Sequence, residues 1–192
     1  MAKFVEPKRV WILIDEWTTV PPEIQPYLAD MIRRSMFSVP NVTVKIAAIE
    51  HRSEFKLDRD DEGYIGFELG ADISAAINLD DYLVIDNDED RAKQFFRTFI
   101  DNHVRAVAAE VGINVSEAEN VIGVAFTQEN VFTEFVRATE GVPRDAMHIL
   151  SIAAQKANVN SITMPSVRTA AYAFFQTEKY TAIQSNKENR SE

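Results

Sequence analysis

Residues Arg9 to Glu16 read Arg-Val-Trp-Ile-Leu-Ile-Asp-Glu, an apolar run that stops at two adjacent carboxylates. Phosphoryl transfer to water needs a divalent cation bridging phosphate oxygens and a group that orients or deprotonates the attacking water. An aspartate at a strand end can hold such a cation through its waters, and a glutamate directly after it can turn toward the nucleophile. Asp15 and Glu16 are therefore the candidate catalytic pair, and Asp15 the candidate Mg²⁺ contact. Two further polar groups stand where an anion could be met. Glu50-His51-Arg52 closes a second apolar run, and Gly141-Val142-Pro143-Arg144 opens a helical pattern. A polar side chain at the first place could sense a γ-phosphate, and a guanidinium at the second could stabilise charge in the transition state. Taken singly, each group also fits a plain surface turn or an exposed helix position.

The elements that must position these groups follow from hydrophobic period. Val10 to Ile14 lacks alternation, which predicts a strand buried on both faces. Pro22 suits a first helical turn, and Ile24, Tyr27, Leu28, Met31 and Ile32 recur at helical spacing, so a helix is expected from about Pro22 to Met36. Val42 to Ile49 reads as a second strand. Two strands joined by one helix make a parallel βαβ unit, and ligands of open parallel sheets sit at the carboxyl ends of the strands. Asp15-Glu16 and Glu50-His51-Arg52 both lie at such ends and are expected to face one ligand.

Farther on, 54–69 reads as a loop with a short strand over Tyr64 to Leu69. Asp72 to Ile77 reads as a helical turn and Tyr82 to Ile85 as a third short apolar run, a strand or extended segment. From about Glu89 the pattern is helical only. Asp88 caps a helix that ends near Gly112, and further helices are expected over Thr127 to Thr139, from Gly141 to about Ala157, and over Pro165 to Thr177. Phe95, Phe96, Phe99, Phe174 and Phe175 fall at helical spacing and read as core; His103 and His148 lack partners at metal-ligand spacing. The expected organisation is a partial α/β domain over 1–87, a helical lid-like domain over 88–183 and a disordered polar tail over 184–192.

Composition narrows the function classes. The 192 residues carry a net charge of -10, which argues against a main nucleic-acid surface, because such surfaces cluster Lys and Arg. A DNA-related role, with the last helices beginning a winged-helix unit, would have only the sparse Lys156, Arg168 and Lys179 to work with. No run approaches the roughly 20 apolar residues that span a bilayer, and the first residues lack a signal-peptide core, so a cytoplasmic location without membrane attachment is expected. Absence of cysteine excludes disulfides and thiolate metal sites.

In combination, the order strand-Asp-Glu, helix, strand-polar-Arg and helical region with Gly-x-Pro-Arg resembles the AAA+ and STAND group of P-loop ATPases from about Arg9 to Ala157. Ile12-Leu13-Ile14-Asp15-Glu16 matches the Walker B strand. Ile49-Glu50-His51-Arg52 takes the place of the sensor 1 strand end and retains its arginine at Arg52, with Glu50 and His51 at the sensor-like positions. Gly141-Val142-Pro143-Arg144-Asp145 looks like the start of the sensor 2 helix. The resemblance implies a partial P-loop sheet followed by a helical lid, ATP and Mg²⁺ as ligands of the completed ATPase, and nucleotide contacts from Arg52 and Arg144. The phosphate-binding Gly-x-x-x-x-Gly-Lys-Ser/Thr loop does not occur in these residues, so it is expected on an upstream segment or another chain. Self-association or a protein partner is accordingly expected. The alternative is an interaction or regulatory module derived from an ATPase that performs no chemistry of its own.

Overall fold

The computed structural model describes residues 9–59, 63–73, 75–113, 116, 120–181 and 183–184, in two compact units, Met1–Ile77 and Asn78–Glu192. The first mixes helix and sheet; the second is helical. The composition change at Asp86 to Asp90 falls inside the second unit. The polar tail from Ser185 onward lies outside the described residues.

The first unit starts with β1 (Val10–Ile14), followed by α1 (Gln25–Ile32), whose last turns widen into a π-helical segment, Arg33–Phe37, before β2 (Val42–Ile46). Pro26 occupies the first turn of α1, where a missing N–H costs nothing; Pro22 lies in the preceding turn. Strands β1 and β2 pair in parallel, Val10 opposite Val42 through Ile14 opposite Ile46. They form a two-stranded sheet. The second strand ends earlier than its apolar run suggests, because Glu50–Arg52 winds into a 3₁₀ turn.

Burial of β1 on both faces is not what the structure has. Val10, Ile12 and Ile14 are half-buried, while Trp11 and Leu13 are 52% and 72% exposed. The reason is geometric. Successive side chains of a strand point to opposite faces, and the covered face of this sheet is the one that meets Trp17, Ala29, Ile32 and Phe67, with Ile14, Val44 and Ile46 packed against them. On the open face the Lys45 ammonium lies 4.9 Å from the centre of the Trp11 ring.

The segment expected as loop contains an antiparallel hairpin, β3 (Lys56–Arg59) and β4 (Gly63–Gly66). Its aromatic neighbours form a stack: Trp17 on Phe55 and Phe55 on Phe67, each at 5.1 Å, then Phe67 on Phe37 at 5.5 Å. Gly66 makes this approach possible. Its φ is +106°, and a Cβ there would overlap the carbonyl oxygen of Phe55. The described residues of 72–77 do not form the expected helical turn.

The second unit begins with α2 (Asp80–Leu83), which takes in Tyr82 and Leu83 where a strand or extended segment over Tyr82 to Ile85 was expected, and Val84 after it is extended. Four apolar residues are too few to separate helix from strand by period. Two acidic residues in the first turn, Asp80 and Asp81, favour helix by opposing its dipole, and Asn78 accepts the Asp80 amide. Next come α3 (Glu89–Glu110), α4 (Val121–Ala125), α5 (Glu129–Ala138), α6 (Pro143–Ala157) and α7 (Met164–Phe174), with a π-helical segment Phe175–Tyr180 after it. Asp88 caps α3 by accepting the Arg91 amide at 3.0 Å, and Gly112 follows its end with φ +75°. Phe96, Ile100, Phe132, Phe135, Val136, Ile149, Val167 and Phe174 join one core. Phe95 and Phe175 remain exposed, so the phenylalanine repeat is only partly interior. Among the described residues no helix is long and apolar enough to cross a membrane.

Gly66→Ala is expected to destabilise the first unit by about 2–4 kcal/mol, since it combines a disfavoured φ with a backbone overlap. Chemical denaturation followed by tryptophan emission would measure it. A change below about 0.5 kcal/mol would mean that the Phe55–Gly66 approach is not needed.

Candidate functional site

The parallel ladder runs past both strands. Ala47 donates its amide to the Ile14 carbonyl at 2.8 Å, and Trp17 donates to Ala47 at 3.3 Å. The turn carrying Asp15 and Glu16 is thereby fixed level with Ala47, three residues before the Glu50–Arg52 turn. Asp15, Glu16, Glu50, His51 and Arg52 are all exposed at this carboxyl end of the sheet. No hydrogen bond or ion pair among the described residues joins the acidic group to the other, so the two flank the sheet end as separate groups.

The Asp15-Glu16 corner is tight. Asp15 Oδ1 accepts the Glu16 amide at 2.8 Å, which leaves the second carboxylate oxygen outward. Glu16 has φ 52° and ψ 43°, a left-handed conformation uncommon for a residue with a side chain. The chain then closes a 3₁₀ turn, Trp17–Thr19, in which Glu16 accepts the amide and hydroxyl of Thr19. Trp17 is fully buried beneath it. A buried anchor directly after the acidic pair holds both carboxylates at the surface. One outward carboxylate suits Mg²⁺, which takes one or two protein carboxylates and fills its shell with phosphate and water. Among the described residues no group of three or more His, Asp and Glu could hold a metal ion.

Arg144 belongs to the second unit. It is exposed in the first turn of α6, after Pro143, and has no bonded partner among the described residues. The corner before it is built closely: Gly141 has φ +75°, and a Cβ there would come within 3.1 Å of the Leu83–Val84 backbone. Behind it, the largely buried Asp145 pairs with Lys179 Nζ at 2.5 Å. Arg168 pairs with Glu134 at 2.8 Å. Two of the three cations that a nucleic-acid surface would have used are thus committed to carboxylates. His103 and His148 are exposed, His148 against the Phe174 ring.

Two features near the strand ends were not singled out from the sequence. Gln25 is fully buried, with both ends of its amide bonded. Its signal was present: it shares the inward stripe of α1 with Ala29 and Ile32, where a polar residue is out of pattern. The other is a network that ties α1 to the hairpin. Arg33 donates to Asp30 at 2.8 Å and to the Tyr64 hydroxyl at 3.4 Å, and Tyr64 donates to Asp72 at 3.1 Å. The Arg33 and Arg34 guanidiniums hold the Asp30 carboxyl below its ordinary range. The Glu68 amide does the same for Asp72. Asp72 in turn pushes the Tyr64 phenol up.

No family model matches the chain, and neither the curated proteins nor the solved structures provide a match.

Two predictions follow from local geometry. Asp30 and Asp72 titrate lower in the folded unit than in an unfolded chain. Their contribution is therefore complete above the ordinary carboxylate pKa of about 4 and is lost as pH falls through the depressed folded values. Asp30→Asn should flatten the acid limb of the first unit's stability between about pH 5 and 2, measured by urea titrations at each pH; an unaltered limb would dissociate the network from acid lability. Glu16→Gly should leave stability unchanged or raise it by up to about 1 kcal/mol, because glycine tolerates the left-handed backbone. A clear loss in the same titrations would show that the Glu16 side chain supports the fold.

Proposed function

We propose that this chain supplies the water-activating strand and a helical region of an ATP-hydrolysing P-loop assembly, whose phosphate-binding loop comes from a segment outside these 192 residues or from another chain. One observation carries this reading. Two parallel strands held in register end together, one in an exposed Asp-Glu corner and the next in a turn bearing Arg52. The resemblance of Ile12 to Glu16 to a Walker B strand supports it further.

In the completed assembly Asp15 contacts Mg²⁺ and Glu16 orients the attacking water. Mg²⁺ would supply charge neutralisation across the phosphate oxygens. Arg52 offers a cation at the same sheet end, with Glu50 and His51 beside it at the sensor-like positions. In the second unit, Arg144 offers an unengaged guanidinium at a helix start, where an anion is electrostatically favoured.

A non-catalytic interaction module is the second reading, favoured by the open face of β1. Trp11 and Leu13 are exposed side by side on a sheet of two strands, and unpaired strand edges with apolar neighbours recruit partners.

Isothermal titration with ATP and Mg²⁺ separates the readings. Binding at millimolar affinity or tighter, weakened at least about fivefold by Arg52→Ala, supports the nucleotide reading; absence of binding by the chain and by its reconstituted assembly removes it. In an assembly that turns over ATP, Glu16→Gln should abolish hydrolysis while binding persists, and undiminished turnover would remove Glu16 from catalysis. Light scattering after size exclusion reads the second: oligomers that dissociate on Leu13→Glu support an interface at the open face, whereas a dilute monomer in both proteins opposes self-association.

A further inference from the structure

The geometry points to Gln25 as a positioning residue that couples the two strand-end turns, so that the Asp15-Glu16 corner and the Glu50–Arg52 turn keep one fixed relation. The side chain is fully buried at the first position of α1. Its Nε2 donates to the Val20 carbonyl at 2.8 Å, immediately after the 3₁₀ turn that follows Glu16. Its Oε1 accepts the Glu54 amide at 2.7 Å, two residues after Arg52. One planar amide thus bonds backbone on both sides, a donor toward the β1 turn and an acceptor toward the β2 turn.

A primary amide offers a donor and an acceptor in one plane at any pH and without charge. Leucine would fill similar space with neither bond, leaving a carbonyl and an amide without these partners, which is costly in a buried setting. A carboxylate would accept from Glu54 but set negative charge against the Val20 carbonyl. A protonated carboxyl restores the pattern: its O–H donates to Val20 and its C=O accepts from Glu54. The brace is therefore a specific pair of hydrogen bonds that chemistry can switch off and on at constant side-chain volume.

The coupling does not depend on what the site binds, and its test uses no nucleotide. Amide hydrogen exchange on the full chain reads both turns: Thr19 and Val20 on one side, Arg52 and Glu54 on the other, normalised to intrinsic rates. In Gln25→Leu all four amides are expected to exchange about tenfold faster or more, while α3 in the second unit stays unchanged. In Gln25→Glu the same four should be deprotected at pH 7.5 and return to wild-type protection below the pKa of the introduced carboxyl, raised by burial. Wild type should show no such switch. That pH-dependent rescue is a readout that loss of packing alone would not give, and it decides the matter even if Gln25→Leu unfolds the first unit. Deprotection confined to Glu54, with Thr19 and Val20 unaffected, would overturn the coupling. So would Gln25→Glu protection that does not change with pH. Failure of ATP to bind would leave the brace intact, and failure of the brace would leave the nucleotide reading to its own titrations.

Discussion

The first unit depends on one backbone constraint, the in-register parallel pairing of β1 with β2. The Ile14–Ile46 pairing and the Ala47 amide on the Ile14 carbonyl put two strand ends at one level. From there the chain leaves in two different turns, each capped by an apolar anchor, Trp17 after one and Phe55 after the other, and these rings stack. A slip of one residue would move Trp11 and Leu13 to the covered face and Ile12 off it. The Asp15-Glu16 corner would then lose the buried support of Trp17. Register, rather than any side-chain pair, sets the level at which the chain leaves both strands.

Hydrogen bonding then locks the layers that hydrophobic packing brings together. A two-stranded sheet has little stability of its own, so α1 and the hairpin have to hold it. The Asp30–Arg33–Tyr64–Asp72 chain fixes helix to hairpin through partly buried groups joined end to end by hydrogen bonds, and Gln25 fixes the helix start to both loops. Polar networks of this kind specify one arrangement among several that apolar contacts alone would tolerate. Three buried hydrogen-bonding atoms among the described residues of this unit lack a partner: Trp17 Nε1 in the first turn, Ser53 Oγ just after the second, and Arg33 Nε within the network itself.

The sequence made the strand ends legible because apolar runs that stop at carboxylates mark where a strand leaves its sheet. It also made the helical second unit legible, since residues such as Val131, Phe132, Phe135 and Val136 declare a buried face by spacing alone. Burial of β1 was not legible, because it depends on how many strands accompany it, a property of the sheet rather than of the segment. The first half of Tyr82 to Ile85 is helical instead of extended because a short apolar run has no period, and the acidic turn that starts at Asp80 decides for helix. The hairpin hid behind charged residues, with Gly66 the hint that backbone would approach closely. Gln25 could be flagged as a polar residue on an apolar stripe, but its partner Glu54 is 29 residues away, and no local pattern encodes that distance. The comparisons add no homologue against which to weigh the motif resemblance, so the functional reading stands on geometry and motif.

The chain has two tryptophans, and the fold places them in opposite surroundings: Trp17 is sealed in the interior, and Trp11 is half in solvent beneath Lys45. Both belong to the first unit. Tryptophan emission, excited selectively, is therefore blind to the helical unit but has two colours for the other one, a blue component from the sealed indole and a red one from the wet indole. Covering the open sheet face would quiet or shift only the red emitter, whereas melting the interior would move the blue one. A single spectrum can thus tell docking from denaturation without any added label.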